Sequence, residues 1–301
     1  MAPVPAITFA IPYFRDPRLL AAAVASVRAQ TVEDWELVVV DDAGPHGEAG
    51  AAVVAGLADR RARYVRHDRN LGLAGNWNRC LDAAGAPVVT LLHADDELAP
   101  RYAELVLAAH ARHPQAAATF CRAEIVDGDG RPLRSLPDAV KRVVQPRRSG
   151  DLVVEGDAGL ASLMRGQYVF CPTLAYRRAA LGSLRFDGTW RMVLDLAMLA
   201  ELLFTGRQLV GVPDVAYRYR RHGANESAKL TAEATRFAEE AELHRLVAAR
   251  ATALGWRRTA RMAALMPTVR LHAAYRAAGD AARGHPGAAA AKLRALRRRP
   301  R

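Results

Sequence analysis

Two segments constrain this chain more than any other: "WELVVVDD", Trp35 to Asp42, and "PVVTLLHADD", Pro87 to Asp96. Each is a run of apolar and β-branched residues, the pattern of a strand buried on both faces. Each then delivers two adjacent aspartates at or just past its end. Neighbouring carboxylates repel each other and are costly to desolvate, so a buried strand that ends in them needs a reason. Around these runs strand and helix patterns alternate. "AITFAIPYF" reads as a strand ended by Pro12, and "RLLAAAVASVRAQT" sets Leu19, Leu20, Ala23, Val24 and Val27 on one helical face. "GAAVVAGLAD" reads as helix, "ARYVRHD" as a short strand, and "LAGNWNRCLDAAG" as a helix closed by Gly85. The alternation predicts an α/β fold with a doubly wound, mostly parallel sheet. In open sheets of this kind ligands bind outside the C-terminal ends of the strands. Carboxylates placed there can hold a hard divalent cation, and a cation can hold a diphosphate. The competing reading of Asp95 and Asp96 is a solvated turn or a helix N-terminus before "ELAPRYAELVLAAHARH".

Beyond Leu98 the pattern changes. "AAATFCRAEIVDGDGRPL" looks like a hairpin turning at Asp127 to Gly130. Residues from about 134 to 156 are polar and Arg-rich, as in a loop. "GLASLMRG" and "TWRMVLDLAMLAELLFTG" have helical patterns, and "QLVGVPDVAYRYRRHGANES" reads as strands followed by a polar loop. From Ala228 the chain is Ala- and Arg-rich and helical in propensity, broken at Pro267, Gly284, Pro286 and Gly287. Three regions follow: 1–98 and 99–227 as two halves of one catalytic domain, and 228–301 as a helical basic C-terminal segment.

Charge separates the last region from the others. The net charge is +12, yet residues 228–301 hold 16 Lys and Arg against 5 Asp and Glu, so the body is nearly neutral. One reading of the tail is an Arg-studded solvated segment packing through Leu243, Leu246, Val247, Leu265 and Met266. The other is a surface for anionic lipid head groups, an anionic acceptor or a carrier protein. No aromatic-interleaved basic motif or zinc spacing supports nucleic-acid binding. No run of about 18 uncharged apolar residues suggests a membrane-spanning helix. The N-terminal segment lacks a basic lead and a long apolar run, so no secretory signal is expected. Cys80, Cys121 and Cys171 are few and far apart, which fits buried thiols in a reducing cytoplasm. The expected location is cytoplasmic, and peripheral at the inner face of the membrane if the tail binds lipid.

In combination and order, "FAIPYFRDPRLLAAAVASVRAQTVEDWELVVVDDAG", "NLGLAGNWNRCLDAAGAPVVTLLHADDEL" and "VLDLAMLAELLFTGRQLVGVPDVAYRYRRHGANES" resemble family-two glycosyltransferases with the type A glycosyltransferase fold, from about Ala6 to Ser227. The resemblance implies inverting transfer of a sugar from a nucleotide diphosphate sugar, UDP- or dTDP-linked, with bound Mg²⁺ or Mn²⁺. It implies that Pro12 and Tyr13 touch base and ribose, that Asp42 accepts from the base, and that Asn70 and Gly72 form the loop beside the nucleotide. Asp95 falls on the ribose or metal side and Asp96 on the metal. Asp195 matches the catalytic base. His222 matches a histidine that reaches metal or diphosphate, and Arg220 a residue holding phosphate.

The chain departs from the family pattern at three places. The usual Asp-x-Asp-Asp is His93-Ala94-Asp95-Asp96, the acidic residue before the catalytic Asp is Leu194, and the Ser after the first Asp pair is replaced by Ala43-Gly44. These leave the metal dependence open. Inverting transfer needs a base on the acceptor hydroxyl and stabilisation of the leaving diphosphate. Asp195 sits among Met192, Val193, Leu194, Leu196 and Met198, and partial desolvation would raise its pKa and suit it to that task. The other reading of Asp195 is a helix-capping carboxylate. His222 reads equally as a solvated loop histidine, Asp41 as a carboxylate satisfying backbone N–H groups, and Trp77 and Trp190 as core residues or sugar-stacking platforms. Two other functions compete. A degenerate nucleotide-binding or scaffold protein acting through its basic tail would favour loss of Asp195 or Asp96, and both are present. A sugar-phosphate nucleotidyltransferase would carry a Gly-rich phosphate loop after the first strand, and "IPYFRDPR" has no glycine.

Overall fold

The computed structural model describes residues 4–133, 143–146, 149–221 and 226–297. Its centre is one nine-stranded sheet. β1 (Ile7–Tyr13), β2 (Trp35–Asp41), β3 (Ala62–Arg66) and β4 (Val88–Leu91) run parallel in the order β3-β2-β1-β4. Beyond β4 the sheet is mixed. β8 (Ala175–Arg177) lies antiparallel between β4 and β6 (Ala116–Val126). β9 (Gln208–Arg220) pairs parallel with β6 and antiparallel with β5 (Glu97–Leu98) and β7 (Leu152–Val154). The longest pairings are the parallel ones, as the alternation of strand and helix requires.

Helices cover both faces, so the central strands are apolar on both sides. On one face, Phe9, Ile11, Leu37 and Val39 pack with α1 (Pro17–Arg28) and α4 (Tyr102–Arg112). On the other, Ala10, Val38, Val40 and Leu91 pack with α3 (Gly72–Ala83), α5 (Gly156–Arg165) and α7 (Leu194–Phe204). A fully buried side chain of this size contributes about 1.5–3 kcal/mol relative to exposure. α1 begins where the sequence permits: Asp16 caps it by accepting from the N–H groups of Arg18 and Leu19, and Pro17 takes the first helical position. The remaining short helices are α2 (Gly47–Ala55) and α6 (Arg178–Leu181).

Three local expectations change. β1 runs through Pro12 to Tyr13. Pro12 shares its facing with Ala10, whose carbonyl accepts from Leu92 on the β4 side. β4 is paired with β1 only as far as Ala10, so the missing N–H leaves no ladder bond unmade there. Gly85 does not cap α3: the helix ends at an extended Ala84. Gly85 instead lets Glu36 approach, since a Cβ there would lie 2.8 Å from Glu36 Oε1. Asp127 to Gly130 is a tight turn, and the chain returns antiparallel as far as Leu133, whose N–H donates to the Ile125 carbonyl; the residues just after it lie outside those described, and β6 takes its long pairings from β8 and β9. Gln208 to Arg220 is one continuous strand. The Arg-rich loop expected after residue 134 lies largely outside the described residues.

The basic segment is five helices, α8 (Glu226–Ala232), α9 (Thr235–Ala253), α10 (Arg257–Leu265), α11 (Pro267–Ala282) and α12 (Pro286–Ala295), broken near the prolines and glycines. It is bound to the body. Leu243 and Val247 enter the same apolar cluster as α7, and Asp157 at the start of α5 accepts from the N–H groups of Arg258 and Thr259 at the start of α10. Glu239 accepts from the N–H of Met192 at 2.7 Å, just ahead of α7. Met266 is buried as expected, whereas Leu246 and Leu265 are 49% and 47% exposed. No described helix is long and apolar enough to cross a membrane.

Candidate active site

The C-terminal ends of β1, β2 and β4 lie side by side in the sheet, and both aspartate pairs gather there. At the β2 end, Asp41 is fully buried. Its Oδ1 accepts from the Gly44 N–H at 2.9 Å, its Oδ2 accepts from the Tyr64 hydroxyl at 2.7 Å, and Arg66 Nη1 lies 3.3 Å from it. Burial and the Asp41 bond push the Tyr64 hydroxyl well above its ordinary pKa. Asp41 is therefore an internal tie, as one sequence reading had it. Asp42 is also engaged: Oδ1 accepts from the Leu71 N–H at 2.6 Å and Oδ2 from the Gly72 N–H at 3.0 Å. Asn70 Oδ1 accepts from the same Gly72 N–H at 2.8 Å. Asp42, Asn70 and Gly72 are thus brought together, with Asp42 holding the loop that opens α3. Gly72 has φ +75°, the left-handed region that glycine enters without strain.

Tyr13 lies elsewhere than the sequence suggests. Its ring is buried against Gly50, and its hydroxyl donates to the His46 carbonyl at 3.1 Å. Its ring therefore belongs to the core under α2, and among its neighbours Pro12 and Phe14 keep exposed surface. The residues that the sequence reading missed stand beside it. Phe14, Leu71 and Leu73 are 36%, 37% and 42% exposed at this strand-end rim. Large apolar side chains left open beside a polar loop are a signal that sequence alone does not carry, because it depends on exposure.

At the β4 end, Asp96 is 1% exposed. Its Oδ1 accepts from the Arg220 N–H at 2.7 Å and its Oδ2 from the Tyr217 hydroxyl at 3.1 Å. Burial, then the adjacent Asp95, pushes the Asp96 carboxyl well above the usual carboxylate range despite those two donors. His93 Nδ1 is 3.9 Å from Asp96 Oδ2, and the His93 ring stacks on Trp77 with centroids 5.3 Å apart. The buried His93 Nε2 has no hydrogen-bond partner. Ligand atoms of His93, Asp95 and Asp96 all lie within 4.8 Å of one another. Two carboxylates beside an imidazole, Asp96 buried and the other two groups partly exposed, form a donor set that fits a divalent cation. His93 occupies the position of the family's first Asp, and its own capacity to ligate is what the sequence reading overlooked.

Arg220 is placed differently from the phosphate-holding role. Its guanidinium donates from Nε to the Asp95 carbonyl at 3.0 Å and from Nη1 to the Gly128 carbonyl at 2.9 Å, and Nη2 pairs with Glu97. It braces the β4 end rather than pointing free cationic donors at a ligand. The alternation Tyr217-Arg218-Tyr219-Arg220 sends these side chains to opposite faces of β9, a pattern visible in the sequence. His222 lies outside the described residues.

Asp195 is the second residue of α7, half-buried, and Gln167 Nε2 donates to its Oδ2 at 3.3 Å. Three residues beyond Gln167, Phe170 packs on Tyr219 with centroids 5.6 Å apart. Tyr219 in turn feels both Asp96 and Asp95, which with burial raise its hydroxyl pKa. One segment, 167–170, therefore joins Asp195 to the aspartate pair at β4. Trp77 is 5% exposed and belongs to the core, edge-on to Phe186. Trp190 is half-buried against the same cluster.

The sequence profile of glycosyl transferase family 2 matches residues 8–178, more than half of the chain. The chain belongs to that family. It is similar to the succinoglycan biosynthesis protein ExoO of Rhizobium meliloti (strain 1021), 30% identical over 220 residues, 72% of this chain and 61% of that protein. An uncharacterized glycosyltransferase of Nostoc sp. (strain PCC 7120), alr2836, is 28% identical over 225 residues, 73% of this chain and 66% of that protein. The chain thus spans about three fifths to two thirds of the length of these relatives. Among solved structures, residues 1–349 of S. aureus TarS in complex with UDP-GlcNAc superpose with a TM-score of 0.62 at 16% identity, covering 81% of this chain and 66% of that one. That likeness establishes the fold. The family-2 chain thus carries the predicted α/β architecture, with a helical segment packed behind it.

Proposed function

We propose that this family-2 chain is an inverting glycosyltransferase that moves a sugar from a nucleoside diphosphate, UDP or dTDP, to an acceptor hydroxyl. The observation that carries the reading is the His93–Asp95–Asp96 cluster at the end of β4, whose ligand atoms lie within 4.8 Å of one another, beside a second loop-holding aspartate at β2. The TarS structure holds UDP-GlcNAc, which supports a UDP-linked donor. The name of ExoO, a succinoglycan biosynthesis protein, supports a saccharide acceptor.

Each residue then has a task. Phe14, Leu71 and Leu73 wall the base, and the loop from Asn70 to Gly72, fixed by Asp42, sets its position. Asp95, Asp96 and His93 would hold Mg²⁺ or Mn²⁺, with His222 as a further candidate outside the described residues. The bound cation supplies positive charge against the diphosphate leaving group. Arg220 is a positioning residue, since it fixes the Asp95 backbone and the register of β9. Asp195 takes the proton from the acceptor hydroxyl, with Gln167 fixing the orientation of its carboxylate.

Asp195→Asn tests this. Loss of a general base lowers turnover by about 10²- to 10⁴-fold, while UDP affinity measured by calorimetry stays near wild type. A variant that transfers sugar at the wild-type rate removes Asp195 from the chemistry. A variant that loses UDP binding places Asp195 on the donor side.

A further inference from the structure

The outward face of α11 is apolar where a surface helix is normally polar. Val269, Ala273 and Ala277 face inward and are buried, while Leu271, Ala274, Tyr275 and Ala278 form the opposite, exposed stripe. Leu271 is 62% and Tyr275 53% exposed. Near the start of this stripe lies a cleft of about 320 Å³ between α5 and α10, lined by Arg165, Arg258, Arg261 and Ser162, with Leu265 at its edge. The two features adjoin, because Thr268 in the first turn of α11 donates to the Arg165 carbonyl at 2.8 Å.

The charge along this part of the chain is mostly of one sign. Described residues 243–297 contain eleven Lys and Arg and a single carboxylate, Asp280, and Arg250 pairs with Glu201 of the body. Asp280 is 8% exposed and paired with Lys292 at 2.5 Å and Arg283 at 2.8 Å. The nearest other carboxylate to the cleft, Asp157, has both oxygens on the N–H groups of Arg258 and Thr259. An exposed Leu and Tyr stripe in a predominantly cationic setting matches an anionic lipid surface, which supplies phosphate oxygens to the arginines and an acyl boundary to the stripe. A second copy of the same face would bring like charges together.

We propose that α11 and the arginine cleft between α5 and α10 dock this protein on anionic phospholipid membranes. The inference is independent of the donor site and does not rest on the proposed chemistry. The full-length protein is sedimented with vesicles of phosphatidylcholine alone and of phosphatidylcholine with one third phosphatidylglycerol, at low and high salt. Binding is expected to the anionic vesicles only, and to weaken with salt. The double variant Leu271→Glu, Tyr275→Glu alters two exposed positions, and an unchanged melting temperature and circular dichroism spectrum confirm that it is folded. It should bind anionic vesicles at least about tenfold more weakly. Arg258→Gln with Arg261→Gln should lower affinity severalfold and flatten the salt dependence. No sedimentation of the wild type with anionic vesicles at low salt overturns the proposal. So does full binding by the Leu271, Tyr275 variant, which leaves only diffuse charge. A concentration-dependent dimer abolished by that variant assigns the stripe to a second copy and overturns it equally.

Discussion

At the end of β2, Asp41 and Asp42 receive donors for all four carboxylate oxygens, from Gly44, Tyr64, Leu71 and Gly72. At the end of β4, buried Asp96 also receives two, from Arg220 and Tyr217, yet its carboxyl is held well above the usual carboxylate range. The sequences are nearly alike: a buried strand, then two aspartates. What differs is what stands beside them. The β2 pair is divided between an internal tie and a loop clamp, each carboxylate with its own set of donors. The β4 pair shares a space with an imidazole whose Nε2 has no partner. The β2 pair ties the chain at every oxygen, whereas the β4 pair joins His93 in a donor set that fits an added cation. A carboxylate motif at a strand end therefore reports a position in the fold, and its donors decide whether it builds the site or binds the ligand.

The largest expected contrast is in ligand binding. Asp96→Asn should lower Mn²⁺-dependent UDP affinity by about 100-fold or more, since even residues that only orient a metal ligand are worth 10–100-fold. Uridine, which has no diphosphate, should bind nearly as before. Asp42→Asn should weaken uridine and UDP by the same factor, because it loosens the Leu71–Gly72 loop. Calorimetry of both ligands with Mn²⁺ and with EDTA separates the cases. Equal losses of uridine and UDP in Asp96→Asn would erase the distinction between the pairs.

Stability should move in opposite directions. In Asp42→Asn one acceptor oxygen becomes an NH₂ group facing a backbone N–H, at a cost of about 2 kcal/mol for a bond to a charged acceptor. Asp96→Asn in EDTA should leave the protein as stable as the wild type at pH 7, or more so. The sign follows from linkage. A carboxyl whose folded pKa lies above its unfolded value contributes fully below the unfolded value and loses that contribution as pH rises through the folded value. The gap in favour of Asp96→Asn should therefore widen from pH 4 to pH 7. Denaturant melts of both variants, with and without Mn²⁺, check this, and excess Mn²⁺ should restore the advantage of the wild type.

These contrasts mark how far the sequence could be read. The strands that carry both pairs were legible because burial on two faces writes a continuous apolar run, and α1 because Leu19, Leu20, Ala23, Val24 and Val27 recur at helical spacing. That both aspartate pairs stand at strand ends followed from order and topology, whereas Asn70, Gly72 and Asp195 were pointed to only by the family resemblance. The donors followed from neither. Asp42 is held from 29 residues away and Asp96 from 124, and no local pattern encodes such pairings. Tyr13 and Arg220 were misplaced for the same reason: a tyrosine under α2 and an arginine on Glu97 look, in sequence, like residues free for a ligand. Gly85 read as a helix cap because an approaching Glu36 is invisible in one dimension. The exposure of Leu265 and Leu271 likewise depends on which face of each helix meets the body.

His93 offers a smaller effect that sharpens the comparison. An imidazole suits later transition metals, whereas an all-oxygen set suits Mg²⁺. His93→Asp should lower the ratio of Co²⁺ to Mg²⁺ affinity, read from metal-dependent UDP binding, by about tenfold. An unchanged ratio would show that the imidazole does not ligate and that the β4 pair acts through carboxylates alone.

The smallest effect concerns the turn that makes the β2 pair self-sufficient. Ala43, between Asp42 and Gly44, has φ +56°, in the left-handed region. That conformation lets the Gly44 N–H return to Asp41 Oδ1. Gly44 must stay glycine, because a Cβ there would lie 1.6 Å from the Phe14 carbonyl oxygen. The left-handed alanine at position 43 costs about 1–2 kcal/mol. Ala43→Gly removes it but adds freedom to the unfolded chain, which opposes by about 0.5–1 kcal/mol. The net gain should be a fraction of a kcal/mol up to about 1, seen as a slightly higher denaturant midpoint with unchanged slope. UDP affinity should not move, since the Asp42 bonds to Leu71 and Gly72 are untouched. A loss of stability would mean that the Asp41 tie, and not the loop clamp alone, depends on the stiffness of alanine at this turn.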